Sequence, residues 1–188
     1  MECHFNSNDK IMFLKYLKNS VNYFEYGSGG STFLANSMDN IVNIYSVESD
    51  KEWYNKLLLL CPKVKLLYHE INTLPNTWGY PGKNATDYMK SSYSRKILYL
   101  PTEELNNIDL ILIDGRFRVA CCLKCYNKIN NNCKIIFDDF LNRPEYHIIL
   151  DYYKIIEKTD DNIMVILEKI PNKLITESLI NKYELISR

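Results

Sequence analysis

The 188-residue sequence predicts an α/β protein organised on a mostly parallel β-sheet with helices on both faces. Three observations predict it. Short apolar runs alternate with amphipathic stretches in the order strand, helix, strand, helix, which is the rhythm of parallel α/β units. The run Asp109-Leu-Ile-Leu-Ile113 is apolar throughout its length after the first residue, as a central strand buried on both faces must be. Each strand-like run also ends in glycine or in acidic residues, and in open α/β sheets the ligand sits outside the carboxyl ends of the strands.

The elements follow in order. Asp9–Lys18 places Ile11, Met12, Phe13, Leu14, Tyr16 and Leu17 among lysines, a covering helix over a sheet edge or over the ligand corner. Val21–Tyr26 reads as the first strand and runs into Gly27-Ser-Gly-Gly30, after which a helix spans about residues 31 to 37. Asn43–Val47 is the second strand, ending in Glu48-Ser49-Asp50, and Lys51–Leu60 a helix stopped by Cys61-Pro62. Val64–Tyr68 is the third strand. The segment from Ile71 to Ser94 reads as one long loop with Trp78-Gly-Tyr-Pro-Gly82 at its centre, and a loop of that length is more often functional.

The fourth strand is Asp109–Ile113, followed by Asp114-Gly-Arg-Phe-Arg118 and a helix over Val119–Ile129. Lys134–Phe137 is the fifth strand and ends in Asp138-Asp139-Phe140. Pro144 opens a helix to about Ile156, Asn162–Lys169 is a last strand with an antiparallel hairpin partner near Glu157–Thr159, and Asn172–Ile186 closes the chain as a helix. The expectation is one domain over residues 1–188: a covering helix in 1–20, a ligand-binding core in 21–169 and a tail in 170–188.

Bulk properties narrow the partner. Charge balances at 23 basic against 23 acidic residues, which favours neither nucleic acid nor an anionic membrane and suits a small neutral or zwitterionic substrate. No run stays apolar for the roughly 20 residues of a membrane span, and the N-terminus has no leader pattern, so a cytoplasmic protein is expected. A homo-oligomer is compatible with this composition. The six cysteines include Cys121, Cys122 and Cys125 on one amphipathic stretch, without a second Cys or His pair at zinc-finger spacing, and read as reduced, buried thiols.

The chemistry gathers at the strand ends. Three glycines in four positions allow a sharp turn and a close approach of backbone to ligand, and Ser31 and Thr32 open the following helix. The spacing Glu25-x-Gly27-x-Gly29-Gly30 departs from the dinucleotide fingerprint, because Thr32 stands where its last glycine belongs. Glu48, about 20 positions on at the end of the second strand, is placed to accept hydrogen bonds from the hydroxyls of a ribose, which points to a nucleoside cofactor.

With these residues in view, the chain resembles a class I S-adenosylmethionine-dependent methyltransferase of the small-molecule or sugar O-methyltransferase kind. Glu25-Tyr-Gly-Ser-Gly-Gly-Ser-Thr32 resembles the family's first motif, Ser46-Val-Glu-Ser-Asp50 its ribose motif and Leu112-Ile-Asp-Gly115 its fourth. A subset of small methyltransferases also carries Trp-Gly-x-Pro, Asp-Gly-Arg-Phe-Arg-Val-Ala and Phe-Asp-Asp-Phe followed by Arg-Pro-x-Tyr-His, present here at Trp78–Pro81, Asp114–Ala120 and Phe137–His147. The resemblance implies a Rossmann-like, seven-stranded sheet whose C-terminal hairpin strand is antiparallel.

It also implies roles. Gly27, Ser28 and Gly29 would pass along the methionine part of S-adenosyl-L-methionine, Thr32 and the helix amides would help hold its carboxylate, and Glu25 and Ser31 would also belong to the cofactor site. Glu48 and Ser49 would take the ribose, Glu70 and the amide of Ile71 the adenine, and Asp114 with Gly115 would lie by the ammonium and the methyl. A hydroxyl acceptor is a poor nucleophile until its proton leaves, so a base or a metal is expected near the methyl. His147 is the base candidate, with Asp114 and Arg116 beside the reaction. Asp114, Asp138 and Asp139 resemble the carboxylate set that holds Mg²⁺ in some O-methyltransferases.

Other readings stand next to these. Arg116 and Arg118 either pair with Asp138 or Asp139 or touch substrate, and His147 either catalyses or satisfies a buried polar group. Trp78, Tyr80, Tyr93 and Tyr146 are either core or an acceptor platform. The acceptor is expected to be a small molecule, a nucleotide sugar or glycan among the possibilities. Rival functions are a protein or amine N-methyltransferase, an inactive cofactor-binding scaffold and an NAD-dependent dehydrogenase.

Overall fold

The computed structural model describes residues 3–187. Seven strands form one sheet in the order β3-β2-β1-β4-β5-β7-β6. They are β1 (Asn22–Tyr26), β2 (Asn43–Glu48), β3 (Val64–Tyr68), β4 (Leu110–Ile113), β5 (Lys134–Phe137), β6 (Tyr153–Lys158) and β7 (Val165–Lys169). The first five pair in parallel and β7 runs antiparallel between β5 and β6. Strand order reverses between β1 and β4, which makes their carboxyl ends the topological switch point of the sheet.

Side-chain alternation along the strands sorts the core into two layers. Tyr23, Ile44, Leu110, Leu112, Ile136 and Ile166 share one cluster with α1 (Ser7–Leu17), α2 (Gly30–Asn36) and α3 (Lys51–Leu60). Phe24, Tyr26, Val47, Ile111, Ile113, Phe137 and Leu167 share the other with α4 (Asp87–Tyr93), α5 (Thr102–Asn107), α6 (Arg118–Tyr126) and α7 (Glu177–Glu184). Glu25 follows Tyr23 in the period of two, so its carboxylate faces the α2 layer. All four residues of β4 are fully buried, as their apolar run requires.

The structure corrects several boundaries. The segment read as one loop from 71 to 94 holds a tight hairpin, bridged at Thr73 and Pro81, and then α4, whose start is capped by the Thr86 hydroxyl accepting from the Met89 amide. A 3-10 helix (Ser94–Tyr99) and α5 occupy a stretch for which the sequence offered no element. The helix opened by Pro144 is a 3-10 helix that ends at Asp151, and Tyr153–Lys158, expected to be mostly helical, is the edge strand β6. Pairing with β7 at Tyr153–Lys169 and Lys158–Val165 takes these residues out of the helix.

Helix α1 lies over a sheet face and reaches the edge strand β6, where Glu157 accepts from Lys15 at 2.7 Å and from the Tyr16 hydroxyl at 2.8 Å. Met12, Phe13 and Leu17 pack into the sheet face, Phe13 edge-on to Tyr23 at 6.0 Å between centroids. The residues that reach toward the corner precede the helix: His4 meets Trp78 edge-on at 5.0 Å, and the Cys3 thiol is raised by burial and by the charges of Asp114 and Glu25.

Candidate active site

The corner between β1 and β4 is closed to within atomic contact. Gly27 has φ +93°, and a Cβ there would lie 2.7 Å from the Gly115 backbone; a Cβ on Gly115 would in turn meet the Tyr93 hydroxyl and the Gly27 nitrogen. Both positions therefore need glycine on steric grounds. The Asp114 amide donates to Tyr26 O at 3.0 Å and the Gly27 amide to Val47 O at 3.1 Å, which stitches β1, β2 and β4 together at their ends. Gly29 differs: a Cβ there would meet nothing within 4 Å. The turn thus presents open space at Gly29.

Glu25 holds the turn from below. It is fully buried and accepts from the hydroxyls of Tyr23 (2.7 Å), Ser31 (2.8 Å) and Thr32. Burial pushes its carboxyl up, and these hydroxyls oppose the shift. The Thr32 hydroxyl also accepts from the Gly29 amide at 2.7 Å. Glu25, Ser31 and Thr32 are therefore occupied with one another beneath the glycines, and their side chains shape the turn. The Ser28 hydroxyl bonds to that of Ser46 at 2.5 Å, while Ser28 O accepts from the indole of Trp53 at 3.0 Å. Trp53 lies one turn into α3, whose start Asp50 caps by accepting from the Trp53 amide.

At the end of β2, Glu48 is 6% exposed, and its Oε1 accepts from the amides of Ser49 (2.6 Å) and Asp50 (2.7 Å), neither of which engages Oε2. Burial outweighs these bonds and lifts its pKa to about 7. The hairpin after β3 folds over this end: Gly79, with φ +74°, comes so near that a Cβ would lie 2.9 Å from Ser49 Oγ. Glu70 is exposed just past β3, whereas Ile71 is fully buried among the core residues.

The three aspartates do come together, around a cation already present. The guanidinium of Arg118, 5% exposed, lies 2.9 Å from Asp114 and 3.3 Å from each of Asp138 and Asp139. It also donates to Gly115 O (3.0 Å) and Asp138 O (2.7 Å), bracing β4 against β5. Arg143 takes the same Asp139 oxygen. Asp138 is pushed well above the carboxylate range by burial and then by the Asp114 charge; Asp114 rises too, by burial, with Arg118 opposing.

A magnesium site needs open oxygen ligands around the ion. These carboxylates are spent on guanidinium groups, and among the described residues no group of three or more His, Cys, Asp or Glu is arranged for a metal. The residues do not fit Mg²⁺, and the expectation of a metal at Asp114, Asp138 and Asp139 is corrected accordingly. The remaining thiols, Cys61, Cys121, Cys122, Cys125 and Cys133, are buried and free, and burial raises every one of them.

Arg116 and His147 stand apart from this cluster. Arg116 stacks on Tyr80 at 5.1 Å, and among the described residues its buried Nε has no hydrogen-bond partner. His147, on the 3-10 helix after β5, stacks on Phe140 at 5.4 Å, and its buried Nε2 likewise has none. No hydrogen bond or ion pair joins His147 to Asp114 or Arg116 among the described residues. Of the four aromatics read as core or platform, Tyr93 and Tyr146 are core at 1% exposure, Trp78 is 74% exposed and Tyr80 carries Arg116.

The strand order, the antiparallel β7 and the glycine turn after β1 can now be set beside known structures. A methyltransferase-like protein from Silicibacter pomeroyi superposes with a TM-score of 0.84 at 23% identity, over 100% of this chain and 98% of its own. The fold is that of the class I methyltransferases. A candidate O-methyltransferase from Klebsiella pneumoniae shares the methyltransferase fold at a TM-score of 0.54 and 13% identity, covering 90% of this chain and 81% of that one. So does a precorrin 8w decarboxylase from Methanobacterium thermoautotrophicum, at 0.53 and 10%, covering 89% and 92%. At such identities the likeness carries the fold alone, and the residues must carry the chemistry. No protein-family model and no curated protein matches the sequence.

The sequence did not single out Trp53, and it offered Tyr93 only as core or acceptor platform and Gly79 only as part of the long loop and its Trp78–Pro81 motif. The cap at Asp50 was the available signal for Trp53, since a residue three past an N-cap sits one turn inside the helix. No local pattern announces Tyr93, whose hydroxyl reaches Gly115 only because α4 packs against the sheet.

Proposed function

We propose that the protein transfers a methyl group from S-adenosylmethionine to a hydroxyl of a small molecule, a sugar or related metabolite. The observation that carries this reading is the open space at Gly29 beside a buried Glu48 whose Oε2 is left unengaged by the neighbouring amides. The cradle fits the cofactor. Residues 27–29 offer backbone at close approach, and Glu48 offers a carboxylate for paired ribose hydroxyls. Asp114, at the edge of the turn and 30% exposed, offers negative charge to an ammonium. Bound there, S-adenosylmethionine supplies an electrophilic methyl on a sulfonium whose leaving thioether is neutral.

The chain's remaining task is at the acceptor. His147 presents a buried Nε2 with no hydrogen-bond partner among the described residues, suited to take the proton of the acceptor hydroxyl as its oxygen bonds to the methyl carbon. Arg118 holds Asp114 in place and keeps the strand ends rigid. The hairpin carrying Gly79 and Tyr80 comes down on Ser49 at the end of β2, where it would shield a bound cofactor from water.

Calorimetry with S-adenosylmethionine, S-adenosylhomocysteine and NAD tests the cofactor; binding of NAD alone would make the protein a dehydrogenase candidate instead. Incubation with S-adenosylmethionine and a panel of nucleotide sugars, amines and peptides, read by mass for an added methyl, tests the acceptor. Methylation of amines or peptides only would favour N-methylation, and binding without turnover on any panel member an inactive scaffold.

A further inference from the structure

Two arginines two positions apart meet opposite fates at the end of β4. Phe117 between them is fully buried and adopts φ 55°, ψ 37°, a left-handed conformation unfavourable for a residue with a β-carbon. In extended chain Arg116 and Arg118 would point the same way. The reversal at Phe117 lets Arg118 turn in to all three aspartates while Arg116 goes to the Tyr80 ring. Trp78 (φ 56°) and Asp139 (φ 58°), on the hairpin over the corner and at the end of β5, are also left-handed. Strain of this kind gathers where function demands a fixed geometry.

Arg116 differs from Arg118 in its charge partners. Among the described residues it makes no ion pair, and its buried Nε has no hydrogen-bond partner. Burial and the neighbouring Arg118 charge both disfavour its protonated form. An unpaired, partly desolvated guanidinium is costly, and the tyrosine covers only its face. The edge that includes Nε–H is the one that receives a planar or tetrahedral oxyanion in a two-bond fork.

We propose that Arg116 is the anchor for an oxyanion on the acceptor, a carboxylate or a phosphate, so that the methyl acceptor is an anionic metabolite held between the Tyr80 hairpin and the 3-10 helix that bears His147. This deepens the proposed methyl transfer and rests on it for the anchor's purpose, though the anion site can be tested by itself.

The test is a titration of the full chain with inorganic phosphate and, separately, with acetate, following the Arg116 Nε–Hε resonance by ¹⁵N NMR, with and without S-adenosylhomocysteine. Saturable movement of that resonance, lost in Arg116→Gln and weakened at least fivefold in Arg116→Lys, is expected. The more effective anion identifies the phosphoryl or carboxylate class. S-adenosylhomocysteine affinity should stay within about twofold in Arg116→Gln, which separates anchor from cofactor site. An Arg116 resonance indifferent to both anions, or an equal response in a folded Arg116→Gln variant at other arginines only, would overturn the anchor. Failure of S-adenosylhomocysteine to bind while Arg116 still responds would instead overturn the methyl-transfer reading.

Discussion

The end of β1 and β2 and the end of β4 and β5 solve the same electrostatic problem in different ways. Both bury carboxylates. At the first, Glu25 and Glu48 are held by hydroxyls and backbone amides, that is by dipoles, and among the described residues no formal cation is bound to either. At the second, Asp114, Asp138 and Asp139 surround one guanidinium. Dipoles leave a carboxylate titratable and its field negative, which suits a cationic ligand; an ion cluster is complete in itself and leaves no place for a metal. The difference teaches where each half of the chemistry sits. On the proposed reading, the dipole-held end would cradle the cofactor, and the ion-held end is a frame beside which Arg116 and His147 keep buried nitrogens without a hydrogen-bond partner among the described residues.

Removing Arg118 should break the comparison most severely. Arg118→Met leaves three carboxylates facing one another without their cation, a change of about 3–5 kcal/mol in folding stability. Chemical denaturation should show that loss, with partial recovery below neutral pH as the aspartates protonate. Gly29→Val acts on the other end alone. Its side chain fills the open space and should reduce S-adenosylhomocysteine affinity at least a hundredfold in calorimetry, while the melting temperature stays within a few degrees.

Glu48 sharpens the contrast through pH. Its pKa rises from an ordinary 4.5 to about 7 in the folded protein, so the folded state binds more protons than the unfolded between those values. The stability it contributes is complete below about 4.5 and is lost as pH rises through about 7. The ligand-free protein should therefore melt higher at pH 5.5 than at pH 8 for this group's part, and Glu48→Gln should shrink the difference. Cofactor affinity should run the opposite way, growing through pH 7 as the accepting carboxylate forms, and Glu48→Gln should weaken it roughly 10–100-fold at pH 8. The smallest effect is predicted for EDTA, which should leave turnover unchanged because Arg118 occupies the place expected for Mg²⁺.

Much of this was legible in the residues. The β4 run Leu110–Ile113, the glycines after β1 and Glu48 after β2 lie at positions set by local chain geometry, and the structure finds them at neighbouring strand ends. What sequence left open depended on distant partners. Tyr146, Ile149 and Tyr153 fall at helical spacing, yet Tyr153 pairs with Lys169 in β6, because a sheet edge outcompetes a weak helical preference. Helices of six or seven residues such as α4 and α5 give little periodicity to read. The division of labour between Arg116 and Arg118 was undecidable from sequence, since it turns on one left-handed residue, Phe117.

The central claim is that the turn at Gly27–Gly29, with Glu48 beside it, binds the adenosyl sulfonium cofactor. Titration calorimetry with S-adenosylhomocysteine at pH 8, on the natural chain and on Gly29→Val side by side, addresses it most directly. The account predicts one equivalent bound by the natural chain and no detectable heat from an equally folded variant. No binding to the natural chain, or equal binding to both, would contradict it.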